Sequence, residues 1–265
     1  MIVNLSFSAS EKKDNLVKVK DGYNKVSVSA DKVIFFDIET VPRYSNLSEL
    51  KAKDQAEYDM FMLKMHKLRL YTQDESEKNM SDEDFYISKA ALYSEYNRIV
   101  CISVGGEKDG VFNVFSLASG DERQDLINFV GFVNSRAATK PYVCGHNIDS
   151  FDIPVIVKKC FSYGIMPPSS LYNWDQKPWD SKSIDTINLS RFYQASADAT
   201  LASVARTMGI SNPKLILGDD GISALLQWYS KGNFDMIAQY CEEDIKTVYQ
   251  IFKHVQNLSV VEAKK

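Results

Sequence analysis

Apolar residues along this chain follow two patterns, short continuous or alternating runs and longer stretches in which they recur at helical spacing. The short runs predict strands in the segments VIFFDIE, RIVCISVGG, GVFNVFSL and PYVCGHN, with a further strand or extended segment at SIDTINL. Helical spacing covers residues 47–71, 82–96, 121–137, 150–164, 200–210 and about 233–257. Strands that first meander and then alternate with helices predict an α/β fold, a mixed sheet flanked by helices.

The predicted elements divide the chain into one main domain and two short flanking segments. Residues 1–32 alternate weakly around the turn signal Asp21-Gly22, which predicts a β-hairpin-like extension. Residues 33–258 contain the sheet and its helices, and residues 259–265 form a C-terminal tail. Within the domain, residues 47–95 separate the first two central strands, and their composition predicts a helical insertion.

The first strand of the domain ends in two acidic residues. Asp37 and Glu39 follow an apolar run, and because side chains alternate along a strand, both point to the side of Val33 and Phe35. Two like charges at the end of a buried strand are unfavourable unless something compensates them.

Two further acids occur in apolar surroundings. Asp244 falls within the apolar stripe of the last predicted helix, and Tyr240 lies one turn before it on the same face. Asp152 lies between two apolar residues at the start of another helix. Taken singly, each acid has an ordinary explanation. Asp149, Ser150 or Asp152 is suited to cap a helix, a lone acid in a helical stripe is most often solvated, and a lone Asp-x-Glu at a strand end is usually a turn.

Taken together, the acids predict a metal site. Strand ends and helix starts meet at one edge of a layered α/β sheet, where binding sites form. Four carboxylates at that edge would repel each other, and divalent cations would remove the repulsion. An all-oxygen set suits Mg²⁺ or Mn²⁺ better than Zn²⁺. Two such ions, about 3.5–4 Å apart, clamp the attacking and leaving oxygens in phosphodiester hydrolysis.

The composition indicates the setting in which such a site would act. The 265 residues are 45% hydrophobic and 25% charged, with a net charge of −4, so a soluble globular protein without a general basic field is expected. The four cysteines lack C-x-x-C spacing and lie in apolar contexts, which favours structural thiols in a reducing compartment. No signal peptide or membrane span is evident, so we expect a cytoplasmic location.

Three short motifs, in order along the chain, give the sequence a resemblance to a known family. The motifs are D-x-E at Asp37 and Glu39 with Thr40 following, N-x-x-x-F-D at Asn147, Phe151 and Asp152, and Y-x-x-x-D at Tyr240 and Asp244. With them the chain resembles the DnaQ-like, RNase H-like superfamily of DEDD 3′–5′ exonucleases. It is most similar to the proofreading exonuclease domains of B-family DNA polymerases and their stand-alone relatives, which the segments NRIVCIS and KPWDSKSIDT also resemble.

This resemblance implies a metal-binding set and an orienting residue. The ligands implied for the tighter ion are Asp37, Glu39 and Asp244, and those implied for the second ion are Asp37 and Asp152. Gln239 stands where the His type of the family carries its histidine, so Tyr240 places the chain in the Tyr type (DEDDy). Tyr240 would orient the attacking water, because a phenol with a pKa near ~10 is a poor general base at neutral pH.

The resemblance also implies contacts with the terminal nucleotide, which would be made by Thr40, Asn147 and Phe151. His146 lies within the second motif and is a weaker candidate for contact with substrate. Asp185 is expected to have a structural role. The register of the second motif assigns the metal ligand to Asp152 and leaves Asp149 to cap the helix.

The complete set of four acids and a tyrosine favours an active enzyme. The resemblance implies hydrolysis at the 3′ end of single-stranded DNA, with release of nucleoside 5′-monophosphates. DNA is favoured over RNA as partner, and a replication or repair protein is a further possible partner. Two alternatives stay open, a 3′–5′ exoribonuclease and a non-catalytic module that binds nucleic acid or protein on the same fold.

The insertion at residues 47–95 leaves the first strand directly after Thr40. It holds eleven acidic and seven basic residues, which accounts for the whole net charge of −4 and argues against a surface that grips phosphates. We expect a helical pair at the rim of the active site that narrows access to a single-stranded or frayed 3′ end. The alternative is an appendage far from the cleft, used for packing or for binding a partner.

Overall fold

The computed structural model describes residues 28–139, 141–172, 175, 182–191, 200–211 and 221–258. Most of the hairpin predicted within residues 1–32 and the tail at 259–265 lie outside these ranges. Where the predicted extension is described, its end is a short 3₁₀ helix at Ala30–Lys32, directly before the first strand.

The strands within the described ranges form one mixed sheet of five. Their bounds are β1 Val33–Pro42, β2 Asn97–Lys108, β3 Val111–Leu117, β4 Tyr142–Gly145 and β5 Ser183–Asp185. The strand order is β3-β2-β1-β4-β5, and β1 pairs antiparallel with β2 but parallel with β4. The order and polarity confirm the predicted RNase H-like sheet, in which β1 is the central strand.

Helices cover both faces of the sheet. The helices in the described part of the chain are α1 Leu47–Lys53, α2 Gln55–Tyr71, α3 Glu75–Asn79, α4 Asp82–Ala90, α5 Glu122–Ser135, α6 Asp152–Ser162, α7 Asn188–Arg191, α8 Leu201–Thr207, α9 Gly221–Ser230 and α10 Phe234–Gln256. The helices α5, α6 and α10 lie where helical spacing predicted them, whereas α9 was not predicted. Among the residues described, none of these helices has the length and apolar character required to cross a bilayer.

The central strand is buried on both faces, as its apolar run predicted. One set of alternating side chains packs with α5 and α6, namely Ile34, Phe36 and Ile38. Val33 and Phe35 point to the other face and pack against α10, where the rings of Phe35 and Phe252 meet edge to face at 5.3 Å between centroids. Because side chains alternate, Asp37 and Glu39 continue this second row toward α10.

The insertion between β1 and β2 forms four helices instead of the predicted helical pair. Each helix begins at a side chain that accepts a backbone N–H, and these caps are Asn46, Asp54, Asp74 and Ser81. The polar stretch that was interpreted as a break therefore supplies two helix starts. The helices enclose their own core, which includes Leu50, Phe61, Phe85 and Tyr86. In addition, α4 packs against β1 and α9, which joins the insertion to the sheet.

Candidate active site

The strand β1 continues to Pro42, so Asp37 and Glu39 lie within it and not at its end as the sequence suggested. These two acids lie against a cysteine of α10. The Cys241 Sγ atom is 3.3 Å from Asp37 Oδ2 and 3.5 Å from the Asp37 carbonyl oxygen. Asp37, Glu39 and Cys241 each place a ligand atom within 4.8 Å of the others. The sequence interpretation treated Cys241 as a structural thiol. No signal in the sequence distinguished it from the other apolar cysteines, because its contact with Asp37 is made only in the fold.

Asp152 reaches the same strand from the start of α6. Its Oδ1 atom accepts a hydrogen bond of 3.0 Å from the backbone N–H of Ile38, the residue between the two acids of β1. The side chain is buried, and burial raises the pKa of Asp152 to about 8, with the nearby charges of Glu39 and Asp185 acting in the same direction. The second motif is thus held directly beside the first.

Asp152 does not cap α6, so that ordinary explanation is wrong. The N-cap residue is Phe151, and no side chain accepts a hydrogen bond at this cap. Asp149 does not cap the helix either, although its position suggested that role. The Asp149 backbone N–H donates to Asp185 Oδ2 at 3.1 Å, and burial raises the pKa of the Asp149 carboxyl while a hydrogen bond from Ser183 opposes that rise.

Asp185 organises the loop that carries the second motif. Its carboxylate accepts backbone N–H bonds from Asn147 at 2.7 Å and Ile187 at 3.1 Å, in addition to that from Asp149. The loop turns at Asn147, which has a left-handed φ of 64°. These bonds give Asp185 the structural role that the sequence favoured, because they fix the turn that leads from β4 into α6.

A glycine allows this loop to lie close to β1. A Cβ atom at Gly145 would be 2.2 Å from the Ile148 side chain and 2.8 Å from the carbonyl oxygen of Phe36. The backbone of the central strand cannot move away without breaking its pairing, so a larger residue is excluded. Gly145 therefore sets the distance between the loop of the second motif and the strand of the first.

The residues with implied nucleotide contacts have varied surroundings. Asn147 Oδ1 is buried without a hydrogen-bond partner among the residues that the structure describes. The Thr40 hydroxyl donates to the Ala91 carbonyl oxygen at 2.8 Å, so it is engaged with the insertion. Phe151 packs at the margin of the α5–α6 core, and His146 Nδ1 lies 2.9 Å from Thr186 Oγ1. Their contacts with a nucleotide stay predictions.

The third motif lies on α10 beside the unpredicted helix α9. The ring of Tyr240 meets Trp228 of α9 edge to face at 5.7 Å between centroids. The Tyr240 hydroxyl would be 3.2 Å from a Cβ atom placed on Gly221, which brings it close to the start of α9. Asp244 lies one turn after Cys241 on the same face of α10. Within the described ranges, neither Asp244 nor Asp152 belongs to the tight group of three.

This donor set fits a divalent cation. Carboxylate oxygens are the preferred ligands of Mg²⁺ and Mn²⁺, and two of them come from alternate residues of β1, on the face that packs against α10. Asp152 adds a buried carboxylate among other acids, an environment in which a bound cation favours the ionised form. The site therefore combines the ligand type and the charge that such an ion requires.

The mixed sheet and the acids on its central strand define an RNase H-like protein with an acidic site. A protein-family model described as "Predicted 3′-5′ exonuclease related to the exonuclease domain of PolB" matches residues 90–262, which is more than half of the chain. The chain belongs to this family, and the resemblance to B-family exonuclease domains is thereby confirmed. The match covers the second and third motifs but begins after the first, which is Asp37 and Glu39. The fold brings these two acids beside Asp152 and α10.

One solved structure similar to this chain is that of the family B DNA polymerase from the hyperthermophilic archaeon Pyrobaculum calidifontis. It shares 17% sequence identity and aligns with a TM-score of 0.49, over 83% of this chain and 24% of the polymerase chain. This chain thus corresponds to a small part of that polymerase. No curated protein sequence matches the chain.

Proposed function

We propose that this protein is a metal-dependent 3′→5′ exonuclease that removes nucleotides from the 3′ end of single-stranded DNA. The observation that carries the proposal is the convergence of Asp37, Glu39 and Asp152, which come from two distant segments and meet around Ile38. Membership of a family of predicted 3′–5′ exonucleases supports the same activity. The products would be nucleoside 5′-monophosphates.

The proposed metal ligands are Asp37, Glu39, Asp152 and Asp244. Two Mg²⁺ or Mn²⁺ ions bound there would activate the attacking water and neutralise charge on the leaving 3′-oxygen. The protein contributes the placement of the carboxylates. β1 presents two of them on one face, and the Ile38 N–H fixes the orientation of the Asp152 carboxylate through its Oδ1 atom.

We assign the orientation of the attacking water to Tyr240. Packing against Trp228 holds the ring, and the start of α9 lies beside the hydroxyl. We expect Tyr240→Phe to lower kcat by about 10- to 100-fold, because the ligands remain while one hydrogen bond to the water is lost. Rates of single-stranded DNA digestion would measure this. A loss as large as that of Asp37→Ala would show that the phenol does more than orient.

The terminal nucleotide would be held by the loop of the second motif. The buried Asn147 Oδ1 atom offers an acceptor for a sugar hydroxyl, and Phe151 offers an aromatic ring beside it. Since the Thr40 hydroxyl bonds Ala91, a contact at Thr40 would involve its backbone. These three residues are the proposed substrate contacts.

We also propose that the insertion at residues 47–95 narrows access to the site. Its helix α4 packs on β1 and on α9, the helix that lies against Tyr240. The insertion is thus an integral part of the exonuclease domain, which we assign to residues 33–258. Replacing residues 49–92 by a short Gly/Ser linker should increase digestion of blunt duplex relative to single strand. An unchanged ratio in a folded variant would favour the alternative of a packing or partner-binding appendage.

The activity is tested with 5′-labelled single-stranded DNA and RNA of one sequence, incubated with Mg²⁺ or Mn²⁺ and separated on a sequencing gel. We expect a ladder that shortens from the 3′ end, faster on DNA, and no digestion in excess EDTA. Preference for RNA would indicate an exoribonuclease. Tight binding of either strand without digestion would indicate a non-catalytic module.

The four described thiols are free and buried. This agrees with the reducing cytoplasm that we propose as the location of the protein.

A further inference from the structure

A thiol lies beside the carboxylates of the proposed metal site. Cys241 is fully buried, and its Sγ atom faces Asp37 from the opposite layer, 3.3 Å from Oδ2. Glu39 completes a group in which three ligand atoms, two oxygens and one sulfur, lie within 4.8 Å of one another. The proposed function uses the two acids and leaves the sulfur without a role.

The spacing of these atoms suits a cation bound by all three residues. With a metal–sulfur distance of about 2.3 Å and a metal–oxygen distance of about 2.1 Å, a tetrahedral ion separates its sulfur and oxygen ligands by about 3.6 Å. The distance between Cys241 Sγ and Asp37 Oδ2 is 3.3 Å. A small adjustment of either side chain would therefore bring both atoms to one ion.

The sulfur changes which cations such a site prefers. Carboxylates alone favour Mg²⁺ and Mn²⁺, whereas thiolates select softer ions such as Zn²⁺ and Cd²⁺. We propose that Cys241 acts as a third ligand, with Asp37 and Glu39, for a thiophilic divalent cation. When such an ion binds, the thiol gives its proton to the buffer and a metal–sulfur bond forms. This inference rests on the proposed function, because it concerns the same two carboxylates.

As a consequence, thiophilic cations and Mg²⁺ or Mn²⁺ would compete for the same two carboxylates. A thiophilic ion would occupy the carboxylates that Mg²⁺ or Mn²⁺ needs for hydrolysis, and a trace of it would displace a larger concentration of the harder ion. The second possible role of Cys241 is structural, with the thiol donating a weak hydrogen bond to Asp37. Direct measurement of Cd²⁺ binding separates these two roles. A thiol that is a ligand strengthens Cd²⁺ binding, whereas a thiol that only donates a hydrogen bond does not.

The test measures binding of Cd²⁺ to the metal-stripped full chain, by calorimetry and by the ultraviolet absorption of a cadmium–thiolate bond. Wild type should show the absorption band at one equivalent. Cys241→Ser keeps a hydroxyl donor of similar size, and it should abolish the band and weaken Cd²⁺ binding by about 10- to 100-fold. Mn²⁺ affinity should change by less than about threefold, because its oxygen ligands remain. Cys160→Ser, which replaces a buried thiol in the α5–α6 core, serves as the matched control.

Two further outcomes separate this inference from the proposed function. If Cys241→Ser binds Cd²⁺ as tightly as wild type and keeps the band, the ligand role is wrong, whereas loss of Mn²⁺ binding in Asp37→Asn would still support the metal site. If Asp37→Asn binds Mn²⁺ normally, the metal site of the proposed function fails. Melting temperatures of all variants would show that each is folded.

Discussion

The two ends of α6 each bury a charged side chain, and the comparison separates a structural charge from a functional one. Asp152 begins the helix and Lys159 lies two turns later on the same side, with 2% and 3% of their surfaces exposed. A buried charge is unfavourable unless neighbouring groups stabilise it. The charged neighbour of Lys159 is an acid of opposite charge, whereas the charged neighbours of Asp152 are acids like itself.

Lys159 is stabilised by the protein itself. Its Nζ atom donates to the carbonyl oxygen of Asn97 and lies 3.6 Å from Glu122 Oε1. Glu122 in turn accepts hydrogen bonds from the Ile99 N–H at 2.8 Å and from the Tyr163 hydroxyl at 2.7 Å. Burial lowers the pKa of Lys159, and the charge of Glu122 opposes that effect. Each charged atom of this pair has a partner, so the pair fixes the packing of α6 on the sheet.

Asp152 has acids as its charged neighbours. Glu39 and Asp185 both raise its pKa in the same direction as burial. The Ile38 N–H orients the carboxylate and does not neutralise it. A buried charge paired with its opposite indicates structure, whereas a buried acid oriented among other acids indicates a site for a cation.

The largest effect that would distinguish the two ends is on turnover. We expect Asp152→Asn to reduce the rate of DNA hydrolysis by on the order of 10³-fold, because it removes a proposed metal ligand. Asp149→Asn, three residues earlier in the same loop region, should retain most activity. Single-turnover digestion of a labelled single strand measures both. A greater loss in the Asp149 variant would reverse the assignment of the ligand.

The next effect is on stability at the opposite end of the helix. Lys159→Met leaves Glu122 buried without its cation, and we expect it to lower the free energy of unfolding by about 3–5 kcal/mol. Lys158→Met is the matched control, since Lys158 is exposed and lies 3.7 Å from an exposed Glu95, where a pair contributes less than about 1 kcal/mol. Urea denaturation measures both changes. Equal stability of the two variants would show that the buried pair is not structural.

The smallest effect is on the pH dependence of the metal-free protein. A carboxyl whose pKa is raised on folding binds its proton more tightly in the folded state, so stability falls as the pH rises from the unfolded pKa near ~4 toward the folded value, which is about 8. Asp152→Asn removes this dependence. Its stability relative to wild type, measured in EDTA, should increase by at least about 1 kcal/mol between pH 5 and pH 8. Parallel pH profiles of the two proteins would contradict the raised pKa.

The sequence predicted the sheet well because its strands follow local pattern. The apolar run of β1 and the stripe of α10 predicted which faces are buried, and alternation placed Asp37 and Glu39 on one side. Two features depended on tertiary contacts that no local pattern encodes. Cys241 looks like any apolar cysteine until Asp37 lies 3.3 Å away, and Asp149 looks like a helix cap until Asp185 accepts its backbone N–H.

The insertion at residues 47–95 was only partly predicted from the sequence, for a different reason. Its helices were predicted, but their number was not, because the polar stretch around residues 72–84 contains two side-chain caps as well as the residues typical of a loop. Composition could not separate a cap from a turn, since both use Asp and Ser. The contact between α4 and α9 could not be predicted either, as α9 itself was missed.

The hydrogen bond from Ile38 to Asp152 has a spectroscopic consequence. The Ile38 amide lies between two proposed ligands in the sequence and bonds a third in space. Its ¹⁵N–¹H resonance should therefore move when Asp152 gains or loses a proton and when a diamagnetic cation such as Mg²⁺ is titrated in. A single backbone signal would then report the occupancy of the whole site, without nucleic acid and without turnover.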